Sequence, residues 1–305
     1  MSNAGLAALP MGLPSMRDRR IGLALGAIGV LIFALSIPMT RLASGSAADP
    51  RLPAAFVAIG RAAFAGLLAL AYLTAVRARL PRGAEWGWLA ATALGVVFGW
   101  PLFLGYAVLH VDAVHASVVS GVLPLATASI AAVMLRQRAG PAFWACAVAG
   151  CAIVIAFAWF RGGSAFQAAD GLLLLAVLTA AFGYVSGARL SSRIPPQQVI
   201  SWVLVLSLPL TLPVSFALWP AHPVPASAWV GFAYVSVFSM WLGFFAWYRA
   251  LALGGTLHVS QVQLLQPFLS MLLAVPVLGE TLDLSTVVFA IAIMLTVFAA
   301  SMTRK

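Results

Sequence analysis

Ten runs of about 20 mostly apolar residues, divided by short charged or proline- and glycine-rich breaks, leave this chain few ways to fold. The runs cover 21–42, 54–76, 86–109, 114–135, 141–160, 171–190, 198–219, 227–251, 257–278 and 284–302. In lipid a backbone must satisfy its own polar groups, so each run reads as a membrane-spanning helix. A soluble reading fails on charge: 8% of residues are charged, against roughly a quarter in soluble domains. The net charge of +10 does not point to nucleic acid, because the basic residues sit at segment ends and not along one interleaved face. Arg17-Asp18-Arg19-Arg20 could open a signal peptide, but the apolar run behind it continues to Thr40, beyond an h-region of about 7–15 residues. We read it as a retained first span. Cys146 and Cys151 lie five apart in one run, on different faces of a helix, and read as small core residues.

Charge sets the direction. With both termini inside, the cytoplasmic ends collect Arg17, Arg19, Arg20, Arg77, Arg79, Arg82, Arg136, Arg138, Arg189, Arg193, Arg249, Arg304 and Lys305, against outer Arg41, Arg51 and Arg161. Thirteen to three is a strong positive-inside bias. Asp49, Asp112, Asp170, Glu280 and Asp283 then fall outside, and no carboxylate is left at the midplane.

Sliding the chain along itself by 143 residues aligns Pro53 with Pro196, Trp86 with Trp229, His115 with His258, Ser117 with Ser260, and Pro124 with Pro267. Each half holds five spans. Because five is odd, the second half enters the membrane from the opposite side. The expected fold is therefore all-α and integral to the membrane: ten transmembrane helices as two inverted five-helix repeats around a central cavity. A cytoplasmic tail (1–20) precedes the repeats at 21–160 and 171–302.

Pro124 and Pro267 fall about ten residues into their spans, where each deprives the carbonyl four residues back, of Ser120 or Gln263, of a helical donor. They are static kinks or a pair of symmetry-related hinges, with Pro38 and Pro101 as weaker cases. Buried amides at Gln263 and Gln266 serve either to glue helices or to bind a solute. Ser36, Ser120 and Tyr184 add hydroxyls to the first, fourth and sixth spans, and Phe244 and Tyr248 add aromatic surface in the eighth. Trp100 lies about 20 Å into the third span at helical rise, where an indole suits either the core or a pocket for a flat organic solute; the repeat sets Gly243 opposite it. Arg61 is the one charge embedded in a span, about seven residues from its outer end. Its long side chain can snorkel to the surface or meet an anionic group.

At these residues the chain resembles the drug/metabolite transporter superfamily, EamA type, whose chains duplicate a five-helix unit. The likeness rests on Arg61 after Pro53, Tyr106-Ala107-Val108-Leu109 and Tyr248-Arg249-Ala250-Leu251, Leu123-Pro124-Leu125, Gln266-Pro267-Phe268 and Leu278-Gly279-Glu280. Two departures matter. Gln266-Pro267 stands where many relatives have Glu-Pro, and Arg136-Gln137-Arg138 stands where a Gly-Glu pair would match Gly279-Glu280. Length, aromatic content and a neutral cavity most resemble the YddG-like exporters of aromatic and other large neutral amino acids. The resemblance implies a multi-pass transporter of the cell inner membrane, exporting such amino acids by alternating access. Substrate binding would fall to Ser36, Trp100, Ser120, Tyr184, Phe244, Tyr248, Gln263 and Gln266, and hinging to Pro38, Pro101, Pro124 and Pro267.

Without a midplane acid, ion coupling would rest on His110, His115 or His258, so facilitated transport or exchange is expected over strict proton symport. The expected partners are a small-molecule substrate and the lipid bilayer, with no nucleic acid, metal or cofactor, the chain working as a monomer or weak dimer. A multidrug or other-metabolite permease, a channel, and a membrane enzyme built on the His110/Asp112/His115 cluster are the competing readings.

Overall fold

The structure, a computed structural model, describes residues 16–134, 140–161, 167–191, 193–254 and 260–302. The tail before Met16, Arg136 to Arg138, His258 with the start of the ninth run, and Arg304 and Lys305 lie outside the described residues. The helices are α1 (Met16–Ala34), α2 (Ser36–Ser44), α3 (Ala54–Ala75), α4 (Glu85–Thr92), α5 (Trp100–Ala107), α6 (Ala113–Ser120), α7 (Leu123–Met134), α8 (Pro141–Arg161), α9 (Ala168–Leu190), α10 (Pro196–Ala217), α11 (Ala226–Tyr234), α12 (Gly243–Gly254), α13 (Gln266–Leu278) and α14 (Leu284–Met302). Two π-helical stretches, Ala93–Gly99 and Val235–Leu242, and a 3₁₀ stretch, Ser260–Leu265, join neighbouring helices. Among the described residues eight segments are long and apolar enough to cross a membrane, and Gln266–Leu278 and Leu284–Ala299 are shorter apolar helices. The chain is a multi-pass membrane protein.

The interruptions follow from backbone chemistry. Pro38 has no N–H to offer the carbonyl of Ala34, and the first span breaks at Leu35, between α1 and α2. Pro124 and Pro267 are the second residues of α7 and α13, so each helix restarts at the proline while the carbonyl four residues back is left behind in the preceding segment. Pro101 likewise follows the first π stretch. The second π stretch has no proline behind it, yet the 143-residue shift carries the first onto it to within one residue. The widened turn is thus a property of the duplicated unit, and proline is one way of ending it.

The duplicated helix α3 packs on its own copy, α10, and α6 packs on α13, the copy of α7. Along α3 the inward stripe is small, with Ala58, Ala62, Ala65 and Ala69 buried, while Phe64, Leu67 and Leu70 are exposed toward lipid. The first π stretch and α9 approach closely at backbone level: a Cβ on Gly95 would sit 2.6 Å from the backbone nitrogen of Gly183. Cys146 and Cys151 are free, and Cys151 faces outward and not into the core as expected.

At one end of the bundle acids cap helices. Asp112 accepts from the His115 N–H at 2.6 Å, and Glu280 accepts from the N–H groups of Ala113 and Val114, each at 2.8 Å. Burial pushes the Glu280 carboxyl above the ordinary carboxylate range, against the pull of those two donors. Nearby, His115 Nε2 lies 2.7 Å from Asp170 Oδ1, both side chains buried, and Asp170 Oδ2 accepts from the Gln167 N–H to close the capping box of α9. At the other end Glu85 accepts two 2.9 Å bonds from Arg79, which also donates to the Arg193 carbonyl.

Candidate functional site

The helix breaks converge on two small cavities that share Gln266 as a wall. The first lies between the α6/α7 break and the junction of the 3₁₀ stretch with α13, lined by Ser117, Ser120, Pro124, Gln263, Pro267 and Ser270 among others. Two pairs of its lining residues hold symmetry-equivalent positions, Ser120 with Gln263 and Pro124 with Pro267. Ser117 Oγ donates to Ser270 Oγ at 2.8 Å across it, whereas Ser120 Oγ and Gln263 Nε2 have no hydrogen-bond partner among the described residues.

The second cavity is framed by α1, α2, α3, the two π stretches with the starts of α5 and α12, α9, and Gln266 of α13. Its clearance is small and admits only about one or two waters. Phe33, Trp100 and Phe244 supply its aromatic walls, with Phe33 and Phe244 5.1 Å apart and edge-on, and Tyr184 6.1 Å from Phe244. Phe33 occupies the space that a side chain at Gly243 would need. The residue opposite Trp100 in the repeat is therefore a gap that an aromatic ring from α1 fills.

Arg61 lines this cavity. It is 2% exposed and does not snorkel to the surface. Its Nη2 donates to Ser239 Oγ at 2.8 Å, and Ser239 Oγ lies 2.6 Å from Ser36 Oγ. As Ser239 accepts from the guanidinium, its own proton is directed to Ser36, whose hydroxyl in turn reaches the Ile32 carbonyl at 3.4 Å. Nε and Nη1 of Arg61 have no hydrogen-bond partner among the described residues, and neither has Gln266 Oε1. Among the described residues no carboxylate lines either cavity. The expectation of an uncharged hollow is corrected: it holds one cation.

Of the residues expected to bind a solute, Ser36, Trp100, Tyr184 and Phe244 line the second cavity, Ser120 and Gln263 the first, and Gln266 both. Tyr248 lines neither; it is buried behind Phe244, its hydroxyl seated against Gly187, where a Cβ would collide with it. Pro124 and Pro267 line the first cavity, while Pro38 and Pro101 lie at breaks beside the second without lining it. Sequence reasoning left out Phe33 and Ser239, and left Arg61 open between snorkelling and meeting an anion. The His110/Asp112/His115 cluster does not assemble: Asp112 caps α6, His115 is held by Asp170, and no three His, Cys, Asp or Glu among the described residues converge as metal ligands.

Apolar helices broken around a polar and aromatic chamber define a membrane protein built to handle a small solute inside the bilayer. The chain belongs to the EamA-like transporter family of the drug/metabolite transporter superfamily, whose model matches it twice, over residues 20–164 and 167–302. It is 44% identical over 279 residues to the "Uncharacterized transporter YdeK" of Bacillus subtilis (strain 168), covering 90% of this chain and 95% of that protein. A solved structure described only as "Crystal structure of protein" shares the fold at a TM-score of 0.62 and 19% identity, over 92% of this chain and 98% of the other.

Proposed function

We propose that the protein is a secondary transporter exporting aromatic and other large neutral amino acids across the cell inner membrane. Ten spans form two oppositely inserted five-helix halves (21–160 and 171–302), with both termini cytoplasmic, as the thirteen-to-three distribution of basic residues supports. The halves rock about the central cavities, which open to one side at a time, by facilitation or exchange.

One observation carries this reading: the breaks in paired repeat helices meet around chambers with unpartnered polar groups and aromatic walls. Irregular backbone at that depth is tolerated where it lines a substrate path.

In proteoliposomes loaded with unlabelled phenylalanine, labelled phenylalanine enters by saturable counterflow. Trp100→Ala and Gln266→Ala each slow it by about tenfold or more, through loss of the indole wall and of the shared amide. Wild-type rates in both variants would remove these cavities from the path.

A further inference from the structure

Resting on the carrier reading, we propose that Arg61 is the carboxylate-binding residue of the central site, so that the transported solute is a monocarboxylate, whether free or part of an amino acid, and not an amine or a cationic drug. The guanidinium is buried at the cavity wall, bonded through Nη2 to one serine hydroxyl, with Nε and Nη1 shielded from solvent and unpartnered. Arginine is the basic side chain that keeps its charge on burial, and such a charge is costly until an anion meets it. Among the described residues no acid does so, since the cavity lining contains none. A carboxylate on the solute supplies the missing partner through charge-assisted hydrogen bonds.

The rest of the wall specifies what accompanies that carboxylate. A single cation matches a single negative charge; a doubly charged phosphate ester would call for a second basic group, which the lining lacks. Gln266 Oε1, an unpartnered acceptor on the same wall, suits an ammonium group. Phe33, Trp100 and Phe244 take an apolar body. A zwitterion bound in this way brings the site to the one charge it already holds, where a cationic solute would double it.

The test is phenylalanine counterflow in proteoliposomes challenged with phenylpropionate, phenethylamine and phenylalanine methyl ester, with a separate arm measuring uptake of the cationic dye ethidium. Phenylpropionate, which keeps the carboxylate, competes; phenethylamine and the ester do not. Arg61→Gln lowers phenylalanine counterflow by about 30-fold or more and abolishes that discrimination, whereas Arg61→Lys, retaining charge without the planar fork, keeps an intermediate rate. Size-exclusion profiles in detergent establish assembly of each variant, and Arg61→Lys carries the comparison if Arg61→Gln does not assemble. Equal competition by the amine in wild type, or wild-type flux in either Arg61 variant, overturns the assignment. Ethidium transport with no movement of any monocarboxylate overturns it while leaving the carrier reading intact; no saturable flux of any solute removes the carrier reading itself.

Discussion

Asp170→Ala lowers stability in detergent by about 3 kcal/mol, read as a drop in the thermal unfolding midpoint, because one substitution strips partners from the buried His115 ring and from the N-terminus of α9. Oδ1 leaves His115 Nε2 without its 2.7 Å neighbour, and Oδ2 leaves the Gln167 N–H without its capping acceptor. Asp170→Asn keeps the shape and an acceptor for Gln167, so it costs about half as much. His115→Ala also weakens the protein, and the double variant is less destabilised than the sum of the two, since the same bond is removed only once. Additive effects would show that the two side chains do not support one another, and would detach α6 from the start of α9 as a packed unit.

Gly95→Leu produces a larger loss and prevents normal assembly. Even Gly95→Ala costs about 2 kcal/mol or more, because the added carbon meets backbone and not a side chain that can swing away. A Cβ at this position lies 2.5 Å from the Thr179 carbonyl oxygen and 2.6 Å from Gly183, so α9 must move off the third span. Gly87 in α4 is the internal control: nothing lies within 4 Å of its Cβ position, and Gly87→Ala is neutral or stabilising by about 0.5–1 kcal/mol through helix propensity. Equal behaviour of the two alanine variants would mean that the close approach at Gly95 is not rigid.

Span positions were legible because apolar length and flanking charge are both written along the chain: the second expected run, 54–76, differs from α3 by one residue at its end. The ninth run was less so, because a local change to 3₁₀ pairing up to Leu265 leaves a shorter α-helix, and hydropathy does not report hydrogen-bond register. The π stretches escaped notice for the same reason. Seven of the eight expected binding residues line a cavity, since polar or aromatic groups at depth have few other uses in lipid. Tyr248 failed because its facing is set by Gly187 on another helix. Arg61 stayed open between two readings on reach alone: about seven residues of helix is close to the length its side chain can span, so depth did not fix its direction. The signal that could have found it is the stripe of Ala58, Ala62 and Ala65 flanking it, which marks the face of α3 turned toward its neighbours, against the bulky Phe64 and Leu67 on the other side.

Gln266 begins α13 immediately after the 3₁₀ stretch and stands in both chambers. A tilt of that helix about its own first turn would thereby redraw the two compartments together, so recognition and turnover have no separate handles at this position. Kinetic variants made there will shift KM and kcat in concert, and a change confined to either one has to be sought elsewhere along the route.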